Sequence, residues 1–544
     1  MSVLLKSSNT FTALEDYKFW IVVTGTPNLA DQNRKLPGLE KKLEDAFVSE
    51  RETWWKLGQE LSGDNSGDIA HMPTAGAFGS DFGIMLAWAR LVKNLAQDEA
   101  ITLVVCDDPW LFRHLAKING VNSSKPPLLV NKILYFRMRG FFARFSVAFR
   151  NARAALFFSS RPKIMTSGET AIVVYGHPDS NSNGLDAYFG DLMKQHKSLK
   201  RLLHTDCNIR QANHLLADGR TMSLHAWGNP WFALFLLFCC WRPSEQRLSG
   251  VNKWLIRRAV AIENSGGGLA MNRWQDHCQK RWLGATKPSC IAWPWENHGW
   301  ERNLCRSALK WKVKTIGYQH SVIGPHQFNY AIYSNYDGLV SIPNVVVADG
   351  PAYRNELIAW GIPRARVMIG GSFRFPRFDD DLYDPQGPVF VPLSAVLDAA
   401  KAQLEVAHSL SERGRQVLIK PHPMYSITIE ESKNLTLAKR PLAEHQGLSA
   451  VLYTTGASGL ETVLMGIPGY RLTLDDRIAI DVLPKGFKTQ AVTITNAVET
   501  ICEGFSRNTP AVWDDIFSDP NNRLWKSLLF GDNDDLDQLF EEFC

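Results

Sequence analysis

Two stretches in the last third of the chain carry groups that can grip an anion. Val417-Leu418-Ile419-Lys420-Pro421-His422-Pro423 runs from an apolar, β-branched strand into a loop stiffened by two prolines. Each proline fixes its own φ and restrains the residue before it, so the loop can hold the Lys420 ammonium and the His422 imidazole beside a phosphate. Tyr453-Thr454-Thr455-Gly456-Ala457-Ser458-Gly459-Leu460-Glu461 places small and hydroxylated residues between a strand and a helix, where backbone N–H groups and the helix N-terminus favour negative charge. Thr454, Thr455 and Ser458 are its candidate contacts to phosphate or ribose. In the competing reading Ser458 caps the helix and Glu461 closes a capping box. Gly370-Gly371-Ser372, ahead of Arg374, offers a backbone that a ligand can approach closely at Gly371 and Ser372.

A second cluster suits acid–base work. Trp293-Pro294-Trp295-Glu296-Asn297-His298 and Tyr318-Gln319-His320-Ser321 each follow a strand pattern, so neighbouring strand ends present Glu296, His298 and His320. A carboxylate or imidazole there can deprotonate an acceptor hydroxyl. Asp186 and Gly190, in a predicted helix entered through a polar loop, also face a cleft in this reading.

The elements that must position these groups alternate strand and helix. Strand patterns at 170–175, 199–204, 289–293 and 313–318 are separated by helical periods, as are those at 344–348, 365–369, 416–420 and 449–453. A β-α-β order implies parallel sheets with crossover helices. Helices are expected over SNGLDAYFGDLMKQ, over 392–413 and over GLETVLM, the last stopped by Gly466 with Pro468 beyond. The chain divides into an N-terminal α/β region (1–165), a middle Rossmann-like lobe (166–340) and a C-terminal Rossmann-like lobe (341–544) with an acidic tail read as a surface helix. Two such lobes leave a cleft at the carboxyl ends of their strands, where ligands of open parallel sheets bind.

One charge anomaly stands out. Pro109 to Gly168 contains no Asp or Glu, while Lys and Arg recur among Phe136, Phe141, Phe142, Phe145 and Phe149. Such a stretch can lie on an anionic membrane, or pack as a domain-bridging helix pair with a solvated basic face.

The C-terminal features resemble the nucleotide-binding lobe of GT-B glycosyltransferases. Lys420-Pro421-His422-Pro423 and Thr454 to Ser458 are similar to the HP and Ser motifs of bacterial sialyltransferases and Kdo transferases, with Thr454-Thr455 and a single Ser458 where a Ser-Ser pair is common. CDP-glycerol glycerophosphotransferases share an HP and Ser arrangement and a strand-end His like His320. Over about Ile101 to Gly469 the chain resembles bacterial surface-carbohydrate (O-antigen) biosynthesis proteins, through LVVCDDPWLFRHL, GLDAYFGDL, WPWENHGWERNL, IGYQHSVIG, VADGPAYRNELIAWGI and KPHP. The resemblance implies a GT-B-like α/β fold and a CMP-linked nucleotide-sugar donor carrying a nonulosonic acid or Kdo. It implies a glycan or lipid-linked glycan acceptor of surface polysaccharide or lipopolysaccharide, and no cofactor. Lys420, His422 and the Ser458 helix terminus would neutralise the departing phosphate without a metal. Glu461 would contact ribose, and Glu296 or His320 would act as base.

Rival readings are a CDP-glycerol-type phosphotransferase, a nucleotide-sugar epimerase and a non-catalytic scaffold of a polysaccharide assembly complex. A metal-dependent GT-A transferase needs Asp-x-Asp after an apolar strand. Asp107-Asp108 follows a strand with the wrong spacing, and Asp379-Asp380-Asp381 lacks the strand. P-loop, GxGxxG and HExxH patterns are absent, which argues against ATPase, dehydrogenase and zincin chemistry. The formal charge of +5 over 544 residues is too mild for a nucleic-acid binder. Nine cysteines without a CxxC pair point to a reducing compartment. The first twenty residues lack the apolar core of a signal peptide, and the longest apolar run, Trp231 to Trp241, falls short of the ~20 residues that span a bilayer. The expectation is a cytoplasmic protein, peripheral on the inner face of the plasma membrane.

Overall fold

Continuous β-branched and aromatic runs such as TLVVC, CIAWP and VVVA are buried on both faces, the pattern of strands covered by helices on each side. In a computed structural model they form three wholly parallel sheets. The structure describes residues 2–10, 16–26, 32–64, 67–77, 79–161, 163–375, 377–378, 383–422, 427–475, 477–504 and 510–531. Pro423, Asp379-Asp380-Asp381 and the acidic tail from 532 lie outside the described residues.

The N-terminal sheet contains β1 (Val3–Lys6), β2 (Phe19–Thr24), β3 (Thr102–Cys106) and β4 (Val121–Ser123), in the order β2-β3-β1-β4. The middle sheet contains β5 (Ala171–Val174), β6 (Lys200–Leu203), β7 (Thr221–Ser223), β8 (Cys290–Pro294), β9 (Lys314–Gln319), β10 (Val345–Ala348) and β11 (Val367–Ile369), ordered β11-β10-β9-β8-β5-β6-β7. The C-terminal sheet contains β12 (Val389–Pro392), β13 (Val417–Lys420), β14 (Leu435–Leu437), β15 (Ala450–Tyr453), β16 (Gly469–Leu472) and β17 (Gln490–Val492), ordered β14-β13-β12-β15-β16-β17. Strand order reverses between β8 and β5 in one sheet and between β12 and β15 in the other, which creates a topological switch point in each. The fold is α/β and GT-B-like: two Rossmann-type lobes whose strand ends face one cleft, with an additional α/β region.

The sheets do not divide at residue 340. β10 pairs with β9, and β11 with β10, so the middle lobe runs on past Ile369. Asn522–Phe530 then returns to it, burying Leu524, Trp525 and Leu528 against Ile172, Val347 and Met368. The helix Lys253–Glu263 buries Trp254, Leu255 and Ile256 in the N-terminal core instead. Local patterns identify strands, but partner choice depends on distant apolar surface.

Two predicted helices change. SNGLDAYFGDLMKQ forms turns and an Asp186–Gly190 bridge, leaving only Leu192–Gln195 helical, because the Asp186 carboxylate accepts from the Tyr188 and Phe189 amides and so stabilises a turn. The expected helix at 392 begins at Leu397, after strand β12. Ser458–Met465 is helical as expected, with Gly466 in the left-handed region at φ 65°.

Candidate functional site

The cleft holds two adjoining cavities, and one loop lies in the wall of both. A cavity of about 340 Å³ opens at the β12/β15 switch point, lined by Ser394 beyond β12 and by Thr454 and Thr455 beyond β15. A second, of about 370 Å³, is lined by Gly456 and Ala457 of the same loop and, opposite, by Glu296, His298, Ser321 and Arg374 from the ends of β8, β9 and β11. Gly79 of the N-terminal region touches both, and His71 lines the second. The N-terminal region is thus a third wall, fixed to the C-terminal lobe by Glu44–Arg471 (3.0 Å) and Lys35–Asp475.

The loop has the groups that can receive an anion. Among the described residues, the amides of Thr455, Gly456, Ala457 and Ser458 donate to no protein acceptor. Gly456 takes φ 106°, open to glycine, and a Cβ there would meet nothing within 4 Å. Thr454 is 2% exposed, and its hydroxyl has no partner. A buried unpaired hydroxyl costs about 1–3 kcal/mol, which a ligand's hydrogen bond would offset. The helix begins at Ser458 after Ala457, with no side-chain cap; the capping box does not form. Across the cavity stands Arg374, its guanidinium bonded to the His320 carbonyl at 3.3 Å. Helix N-terminus and guanidinium together make a positive pole. Glu461, half-buried in the first turn, is pushed up to about 7 by burial, with Arg374 pulling the other way.

The opposite wall carries the acid–base groups. Asn297 is held at φ 57°, where Asn is tolerated better than most residues, and its side-chain amide bonds the Asn329 carbonyl at 2.8 Å and Asn335 at 3.1 Å. This kink turns Glu296 and His298 toward the cavity. Glu296 is half-buried. One carboxylate oxygen is 3.7 Å from His320 Nε2 and accepts from the Ser321 hydroxyl at 3.3 Å, while the other is 3.6 Å from His298 Nδ1. Burial lowers His320 to about 4 and His298 to about 3, so both imidazoles are neutral near pH 7. His320 is 6% exposed, and its Nδ1 has no partner. It backs Glu296 rather than lining the cavity.

The other expected residues lie elsewhere. Asp186 is buried: Arg201 approaches to 3.7 Å and the Ser180 hydroxyl donates at 3.2 Å. It shapes the turn carrying Tyr188, whose ring stands 5.0 Å from that of His320. The Gly370-Gly371 pair admits chain rather than ligand, since a Cβ at Gly371 would fall 2.1 Å from the Asp519 carbonyl. Ser372 accepts from the amides of Arg374 and Phe375 and so positions Arg374. Lys420 donates to the Lys439 carbonyl at 2.9 Å. Lys420 and His422 share the strand-end row with Thr454, but β12 separates their strands, about 10 Å over two spacings. Neither lines the two cavities. Among the described residues no group of three or more His, Cys, Asp or Glu converges as a metal-ligand set.

Sequence reading missed His71 and the site role of Arg374. His71 comes from the N-terminal region with its ring 6.4 Å from that of His298, and nothing local in His71-Met72-Pro73-Thr74 announces that contact. Arg374, immediately beyond a strand-end turn, carried a signal in its position.

No protein-family description matches the chain, and no curated protein does. Among solved structures, Arabidopsis thaliana UGT89C1 complexed with quercetin is similar at 13% identity and TM-score 0.39, over 69% of this chain and 100% of that one. The glycotransferase of kitacinnamycin is similar at 10% identity and TM-score 0.36, over 69% and 95%. UDP-GlcNAc 2-epimerase from Neisseria meningitidis bound to UDP-GlcNAc is similar at 12% identity and TM-score 0.34, over 61% and 90%. The fold assignment rests on the sheets themselves.

Proposed function

We propose that the chain is a glycosyltransferase that moves a nonulosonic-acid or Kdo-type sugar from a CMP-linked donor to a glycan or lipid-linked glycan acceptor. The observation that carries this reading is the loop Thr454–Ala457, which contributes to both cavities and brings unpaired amides and a buried unpaired hydroxyl. The nucleoside occupies the cavity beyond β12 and β15. Its phosphate rests on the loop, opposite Arg374, and the sugar projects into the cavity beside Glu296. Lys420 and His422 lie one strand farther along, and a ligand reaches them only across β12.

In this reading Glu296 takes the proton of the acceptor hydroxyl as its oxygen attacks the anomeric carbon. The bond from that carbon to the phosphate oxygen breaks, and the electron pair leaves with CMP. The loop amides, helix terminus and Arg374 stabilise the developing charge from preorganised positions. His320 and His298, neutral and in contact with Glu296, hold its orientation. Attack from the face opposite the leaving phosphate inverts the anomeric centre.

The test is thermal stability with CMP, CDP, UDP and GDP, followed by CMP release in the presence of acceptor glycan. A ligand at a hundredfold its Kd adds about 2.7 kcal/mol. Cytidine nucleotides are expected to stabilise. Stabilisation by uridine nucleotides alone overturns the CMP assignment, and stabilisation by none overturns the transferase reading.

A further inference from the structure

We infer that the outer face of the helix Leu129–Ser159, with the neighbouring segment Trp231–Phe238, docks on an anionic lipid bilayer and lies in its interface. The 31-residue helix is a strut. Its inner face fits Leu129, Ile133 and Phe136 against the N-terminal core and Val147, Ala148 and Ala155 into the middle lobe. Among the described residues the outer face has no such partner. Leu134, Met138, Phe141, Phe145, Phe149 and Leu156 are all more than half exposed. Their spacing by four, three, four, four and seven residues puts them in one stripe on a 3.6-residue helix.

The second segment adds to the same surface. Arg144 ties the helix to it through the Leu237 carbonyl at 3.0 Å, and it exposes Trp231 (76%), Phe235 (68%) and Phe238 (79%). Two neighbouring elements thus both expose large apolar side chains, more than singly scattered surface residues account for.

Charge identifies the occupant. Lys132, Arg137, Arg139, Arg150 and Arg153 are exposed along the helix. No Asp or Glu occurs between Pro109 and Gly168 or between Gly219 and Ser244. A self-association face gains little from uncompensated charge of one sign, whereas a bilayer with anionic headgroups neutralises it while its acyl boundary takes the aromatics. Among the described residues no helix is long and apolar enough to cross a membrane, and this one is packed along its length, so it lies flat.

The experiment is co-sedimentation of the full chain with phosphatidylcholine vesicles, with and without phosphatidylglycerol, at low and high salt. The chain is expected to pellet with the anionic vesicles and to be released by salt. The triple variant Phe141→Ser/Phe145→Ser/Phe149→Ser and the triple variant Arg137→Glu/Arg139→Glu/Arg153→Glu should each weaken partitioning by about tenfold or more. All six positions are exposed, and circular dichroism confirms that the variants fold. Equal binding to neutral vesicles, unchanged binding of either variant, or a wild-type chain that stays in solution overturns the inference. So does a wild-type dimer, seen by sedimentation velocity, that the serine variant dissociates without any vesicle binding.

Discussion

Glu296 and His320 stand on the ends of adjacent parallel strands, 3.7 Å apart, the carboxylate facing the cavity and the imidazole buried behind it. The pairing divides the labour between them. In the proposed reaction Glu296 takes the substrate proton and His320 orients Glu296.

Glu296→Gln is therefore expected to lower kcat by about 10²- to 10⁴-fold, the range for a lost general base, with nucleotide affinity unchanged. His320→Gln should cost less, because it removes a contact that orients the base and leaves the base itself. Steady-state kinetics checks both. Equal loss in both variants contradicts this division.

Thr454→Val separates binding from stability. The hydroxyl is buried and unpaired without ligand, so its removal should leave the fold equally stable or stabilise it by about 1 kcal/mol. The same change should weaken nucleotide binding by roughly tenfold, as a lost hydrogen bond to a charged group does. Denaturant unfolding and calorimetric titration read the two effects. Loss of stability with unchanged affinity would assign Thr454 to the core.

Stability should decline toward both acid and alkali. Burial lowers His320 to about 4 from an ordinary 6.5. Between those values the unfolded chain holds more protons, so stability is lost as pH falls. Asp349 is the converse: burial raises its carboxyl to about 8, with one oxygen accepting from the Tyr318 hydroxyl at 2.6 Å. Between 3.8 and about 8 the native chain holds the extra proton, so stability is lost as pH rises, by at most about 1.4 kcal/mol per unit. Asp349→Asn should flatten the alkaline decline and, by removing the opposing slope between about 4 and 6.5, steepen the acid decline. Urea midpoints measured from pH 5 to 9 test the sign.

Much of this site was legible locally. Glu296 and Thr454 follow buried strands, and parallel topology puts strand ends on one edge. What was not legible depends on long-range packing. His71 reaches the cavity only because the N-terminal region docks on both lobes. Gly371 looked like a ligand-approach glycine, yet its missing Cβ makes room for Asp519, nearly 150 residues away. Lys420 and His422 carried the strongest motif, but the sheet order interposes β12 between them and the loop. Strand β12, Val389–Pro392, went unassigned because its short run leads directly into the helical period expected from 392, with only Pro392 shared.

The return of the C-terminal segment gives the last prediction. Trp525 is fully buried, donates its indole N–H to the Gly370 carbonyl at 3.1 Å, and packs edge-on against Tyr318 at 5.4 Å. Tyr318 in turn bonds Asp349 and accepts from the Phe373 amide, one residue before Arg374. Truncation of a buried aromatic costs about 3–5 kcal/mol. Trp525→Ala should therefore destabilise the middle lobe by that amount and reduce transfer by loosening Arg374, although Trp525 lines neither cavity. Trp525→Phe, which keeps the ring and loses only the indole N–H, should recover most of the stability. Hydrogen exchange locates the effect: faster exchange in β9, β10 and β11 with β15 and β16 protected is the expected pattern. Faster exchange confined to the C-terminal sheet would return the helix to the lobe in which sequence alone had put it.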